Sequence, residues 1–66
     1  MDRVDVVAMV DDTVANFSFT GDVQSFQHWD GGRAIIHLDN GHDDKGPVSY
    51  VSFRQADMII WRPQSA

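Results

Sequence analysis

The sequence predicts an all-β domain, a small antiparallel barrel or strongly curved sheet of five to six strands. Three observations predict it. All ten acidic residues are Asp, Lys occurs only at Lys45 and Leu only at Leu38. Glu, Lys and Leu are strong helix formers, whereas Asp favours caps and turns. Against that scarcity stand eight Val, four Ile, four Phe, two Trp and one Tyr, residues suited to a pleated, half-buried surface. Finally, short runs alternate apolar and polar residues at period two, between turns rich in Asp and Gly.

Val4, Val6, Ala8 and Val10 alternate with Asp5, Val7 and Met9, which gives a first strand. Ala15, Phe17 and Phe19 alternate with Asn16 and Ser18, a second. With Asp11-Asp12 as the loop, Val10 faces Thr13, Ala8 faces Ala15, Val6 faces Phe17 and Val4 faces Phe19. That register puts every apolar residue of the set on one face, and a one-residue slip would scatter it. Asp-Asp is a poorer tight turn than Asn-Gly or Asp-Gly.

Thr20-Gly21-Asp22 is a turn signal, and Val23 to Trp29 reads as a third strand. Asp30-Gly31-Gly32-Arg33 is the best local hairpin signal. With Gly31-Gly32 as the loop, Asp30 faces Arg33, Phe26 faces His37 and His28 faces Ile35. Ala34 to Leu38 is the return strand. Asp39 to Gly46, polar and rich in Gly, reads as a loop closed by Pro47. Val48 to Phe53 alternates again, Arg54-Gln55-Ala56-Asp57 is a short 3₁₀ turn, and Met58-Ile59-Ile60-Trp61 is a closing strand before Arg62-Pro63. A helix over Phe53 to Trp61 is the competing reading. The count is six strands, or five if the first two fuse around a bend. Residues 1–63 form one domain, and Gln64 to Ala66 is expected to fray.

The ending, a strand, an Arg-Gln-Ala-Asp turn and a short Met-Ile-Ile-Trp strand, resembles the last two strands of SH3-like and Sm-like barrels. The resemblance covers about fifteen residues and implies a 3₁₀ turn before a closing strand. It implies no functional residue, since fold does not give function.

Sixty-six residues without a cysteine leave a thin stability margin and no disulfide, so a partner subunit is a natural expectation. Met1-Asp2-Arg3 does not read as the head of a signal peptide, and Asp5, Asp11 and Asp12 interrupt any apolar core after it. A cytoplasmic protein is the expectation, with no membrane contact. Net charge is −5, and the basic residues, Arg3, Arg33, Lys45, Arg54 and Arg62, are scattered. Nucleic acid wants a basic stripe, so it is disfavoured as a partner.

Four candidate chemistries remain. In the Gly31-Gly32 register His28 and His37 share a face with Asp39, a possible zinc set; the plainer reading is two half-exposed histidines beside Phe26 and Ile35. Asp39-Asn40-Gly41-His42-Asp43-Asp44 has calcium-loop composition. However, Tyr50 stands where an EF-hand needs Glu, and Asx side chains capping their own turn explain the loop better. Ser18, Ser25, Ser49, Ser52 and Ser65 lack any Gly-x-Ser-x-Gly context, and the domain has little room for a buried triad. No catalytic residue and no cofactor is expected.

The fourth candidate is aromatic. Trp29, Tyr50, Phe53 and Trp61 exceed what so small a core needs, although Phe53 and Trp61 also suit that core. Trp, Tyr and Arg are enriched at protein interfaces. Trp29, Tyr50, Phe26, Arg33 and Trp61 are therefore the candidate binding residues. The expected function is a non-catalytic protein-binding module, self-associating or docking on a larger partner through an aromatic patch with an acidic rim. Rival readings are an acidic nucleic-acid mimic of phage or mobile-element origin, an Sm-like nucleic-acid binder and a small metal-dependent enzyme. The mimic would present Asp2, Asp5, Asp11, Asp12, Asp22, Asp30, Asp43 and Asp44 as surrogate phosphates.

Overall fold

The chain folds as five antiparallel strands in one sheet, with no helix among residues 1–63, the residues the computed structural model describes. They are β1 (Asp2–Val10), β2 (Thr13–His28), β3 (Ala34–Asp43), β4 (Gly46–Phe53) and β5 (Ala56–Arg62), ordered β4-β3-β2-β1-β5. The sheet is not closed into a barrel: β4 and β5 are its two ends. The expected fraying of Gln64 to Ala66 lies outside the described residues.

The first hairpin has the register its apolar alternation demands. Val10 pairs with Thr13, Ala8 with Ala15, Val6 with Phe17 and Val4 with Phe19. Asp11 and Asp12 make the two-residue turn with φ of 50° and 61°. Two left-handed residues form the type I′ turn, whose twist matches the strands it joins.

Five strands arise by a different fusion from the one expected. The first two strands stay separate, and the second and third join into the sixteen-residue β2. Gly21, expected in a turn, is a buried bend with φ of 153° inside β2. A Cβ there would lie 2.7 Å from the Cα of Gly41, so glycine at both positions lets two strands touch backbone to backbone. The β2–β3 register shifts around this point, between Thr20 and Asp22 and again between Val23 and Ser25. The first half of β2 therefore pairs with β1 and the second half with β3.

Three other expectations are overturned. The polar run from Asp39 is not a loop: β3 continues to Asp43, and only Asp44-Lys45 forms the tip. Its backbone groups are paired through Asp22↔Asp39, Thr20↔His42 and His42↔Pro47, with Asn40 left-handed at φ 53° where the β3–β4 register shifts. The β2–β3 loop holds three residues, Asp30-Gly31-Gly32, because Trp29 and not Asp30 faces Arg33; the Trp29 N–H donates to the Arg33 carbonyl (2.9 Å). Neither a 3₁₀ turn nor a helix follows Phe53. Arg54 and Gln55 form a bend and β5 begins at Ala56. The Ala56 N–H donates to the Gly32 carbonyl (2.6 Å) and the Met9 N–H to the Gln55 carbonyl (2.9 Å). These two bonds tie the bend to the second hairpin and to β1, holding β5 against β1 and away from β4.

The inner face carries the core: Val4, Val6, Ala8, Phe19, Ala34, Ile36, Leu38 and Ala56. Phe17, Val23, Phe26, Val48, Val51, Phe53 and Ile59 pack against it. Phe53 crosses the fold to tilt against Phe17 (5.2 Å between ring centres) and Phe19 (6.2 Å). Such ring pairs add about 0.5–1.5 kcal/mol beyond their buried area.

Candidate functional site

The core requires Ile36 and Val51 to face inward, and strand alternation then turns their neighbours outward. Ile36 pairs with Val51, so the flanking pairs Ile35↔Ser52 and His37↔Tyr50 stand on the outer face of β3 and β4. Trp29 and Arg33 continue that face at the mouth of the second hairpin. The Arg33 guanidinium carbon lies 5.5 Å from the centre of the Trp29 ring, a cation–π contact of about 0.5–1 kcal/mol at an exposed site. His37 and Tyr50 stack with ring centres 5.7 Å apart.

Between these two stacks lies a hollow of about 590 Å³ lined by Arg33, Ile35, Tyr50, Ser52, Phe53 and Arg54. Trp29 and Tyr50 are exposed, at 45% and 59%. Neither Arg33 nor Arg54 has a carboxylate partner among the described residues. In a chain of charge −5, two unneutralised guanidiniums on one hollow are the exception. Guanidinium presents donors in a planar fork that matches carboxylate or phosphate.

The five candidate binding residues divide. Trp29, Arg33 and Tyr50 gather on the outer face. Phe26 and Trp61 stack on each other instead (5.9 Å, 14° between planes) on the core side, where Phe26 pairs with Ile36 and Trp61 with Val4. Arg54 and His37 join the outer group, and sequence reasoning did not place them there. The sequence reads Arg54 as a turn residue, and a two-residue loop puts His37 opposite Phe26. Counting Trp29 as the partner of Arg33 would have found His37.

The zinc set is not assembled. With a three-residue loop His28 pairs with Ala34 on the core side, and its Nε2–H donates to the Ala56 carbonyl (3.1 Å). His37 faces the other way, stacked on Tyr50, and Asp39 pairs across the bend with Asp22. No group of three metal-ligating side chains occurs among the described residues. In the calcium-like segment, Asp43 Oδ1 accepts the N–H groups of Lys45 (2.8 Å) and Gly46 (3.0 Å), an Asx turn closing the hairpin.

Several aspartates are engaged within the fold. Asp2 Oδ2 accepts the Val23 N–H (3.2 Å). Asp5 is held by the Ser18 hydroxyl (2.9 Å), by Arg3 Nε (3.2 Å) and by Arg62. The Ser18 hydrogen bond, helped by the two guanidiniums, holds the Asp5 carboxyl below its ordinary range. Three of the eight surrogate phosphates, Asp2, Asp5 and Asp43, are therefore already engaged within the fold.

Fold and site together define a small all-β domain with an aromatic and arginine-lined outer hollow. No family model, no curated protein and no solved structure matches the chain. No helix among the described residues is long and apolar enough to cross a membrane.

Proposed function

We propose that this protein is a non-catalytic, cytoplasmic binding module that docks a carboxylate-bearing segment of a partner protein in the outer hollow of β3 and β4. One observation carries the reading: Arg33 and Arg54 line the same hollow with no acid among the described residues to neutralise them, with Tyr50 in its lining and Trp29 against Arg33. The aromatics supply contact area at low entropic cost, and the guanidiniums orient an acceptor. A polyanion would meet the overall charge of −5, whereas a protein segment need bring only a local carboxylate. That asymmetry favours protein over nucleic acid.

The test is titration with an acetylated, amidated peptide pairing Glu with Leu and Tyr, monitored by Trp fluorescence at low salt. Arg33→Gln and Arg54→Gln should each weaken binding about 2- to 5-fold, the upper range of an exposed charged contact. Equal affinity of both variants and wild type would remove the reading. Tighter binding of a single-stranded oligonucleotide than of the peptide would replace it with nucleic-acid recognition.

A further inference from the structure

The bend at Gly21 has a second effect on β2. The residues flanking a two-residue turn, Val10 and Thr13, exchange both ladder bonds, and in an antiparallel pair the bonded pairs alternate. Ala8–Ala15 and Val6–Phe17 therefore bond as well, while Val14, Asn16 and Ser18 direct their N–H and C=O groups away from β1. On that side β3 begins to pair with β2 only at Thr20↔His42. Among the described residues, the stretch from Val14 to Ser18 is thus an open edge on a strand that is central elsewhere.

A hollow of about 580 Å³ runs along this edge, with Asn16 to Phe19 as one wall and Val51 to Phe53 as the other. Its floor is apolar, built on the tilted Phe17–Phe53 pair. Acidic turns lie at both ends of the edge. Asp11 and Asp12 precede the edge, and Asp43, Asp44 and Lys45 close the hollow, so four carboxylates stand against one ammonium.

We propose that this edge receives an extended, basic segment of a partner protein as an added strand. Backbone donors and acceptors recurring at every second residue are met by another strand. Alternate side chains of that strand then point onto Phe17 and Phe53, so the segment carries small apolar residues at alternate positions. Arg or Lys at its two ends meets the acidic turns. This surface follows the β2 edge and meets the outer hollow only at Ser52 and Phe53; it takes the opposite charge through other residues, so the two readings stand or fall separately.

The probe is the peptide acetyl-Arg-Val-Thr-Val-Thr-Val-Arg-amide, followed by amide chemical shifts and hydrogen exchange. The N–H signals of Val14, Asn16 and Ser18 should shift, and their exchange should slow. N-methylation of one alternate set of peptide amides should weaken binding about tenfold or more, and of the other set hardly at all, because only one set faces β2. Replacing both Arg by Glu, or combining Asp12→Asn with Asp44→Asn in the protein, should each weaken it several-fold. Absence of shifts at these three amides up to about 1 mM peptide, or equal sensitivity to both methylation sets, overturns the proposal. Shifts centred on Tyr50 and Arg33 overturn it too. A dimer through the same edge that the peptide does not displace would make a second copy the occupant and overturn it in that form.

Discussion

Replacing Asp12 with Gly should stabilise the domain, although it removes a side chain and adds chain entropy to the unfolded state. Asp12 sits at φ 61° beside Asp11 at φ 50°. A left-handed backbone costs an L-residue about 1–2 kcal/mol, less for Asp, and costs Gly almost nothing. The entropy Gly gains when unfolded offsets about 0.4–1 kcal/mol of that relief. Asn-Gly and Asp-Gly are nevertheless the preferred type I′ pairs, and Asp12→Gly produces the second. A net gain of about 0.5 kcal/mol is expected, or about 2–4 °C in Tm for a domain of this size. The assay is thermal denaturation at neutral pH, with Asp12→Ala as the control. Ala relieves the same charge crowding but keeps the Cβ penalty, so it should fall below wild type. In 1 M salt, where the screening length is about 3 Å, the Gly variant should keep its advantage. If Ala stabilises as much as Gly, or the gain disappears in salt, carboxylate repulsion governs this turn and the backbone reasoning is refuted.

Other expectations follow from the packing and the charges. Gly41→Ala would put a Cβ 2.5 Å from the Val48 carbonyl oxygen and 2.8 Å from the Leu38 Cβ; cooperative melting should be lost, and a wild-type Tm would show that the two strands do not approach so closely. Ile36 is fully buried, so Ile36→Ala should cost about 2–5 kcal/mol in a domain whose total stability is about 3–10 kcal/mol, visible as a large drop in urea midpoint. Asp5 has a depressed carboxyl in the folded state, so its contribution is complete above the unfolded carboxylate pKa and is lost as pH falls through the lower folded value. Asp5→Asn should therefore flatten the stability profile below about pH 4, and an unchanged acid limb would mean that Ser18 and the arginines do not hold it.

Local pattern made some of this molecule legible and left other parts hidden. The β1–β2 register could be read because three apolar pairs, Ala8–Ala15, Val6–Phe17 and Val4–Phe19, fall on one face in one alignment only, and the turn follows from that alignment. The loop of the second hairpin is one residue longer than its Gly-Gly pair suggests. Gly-Gly suits a two-residue loop, and nothing within the segment reveals that Gly32 is held by the Ala56 N–H (2.6 Å). That one-residue difference separated His28 from His37 and dissolved the zinc set; His37 meets Tyr50 through the register of β3 with β4. The run from Asp39 to Asp43 looked like a loop because its side chains are polar; it is a strand because β2 and β4 satisfy its backbone.

By itself, the sequence determined that this chain is built from strands and which residues of its first hairpin face the core. Period-two burial is a property of neighbouring residues, so it is written locally. Only the tertiary structure decided that the sheet stays open, that Arg33 and Arg54 share a hollow, and that half of β2 keeps a free edge. Each of these depends on where Gly21 bends the strand and on a bond between residues far apart in the chain, and no local pattern encodes contacts at that separation.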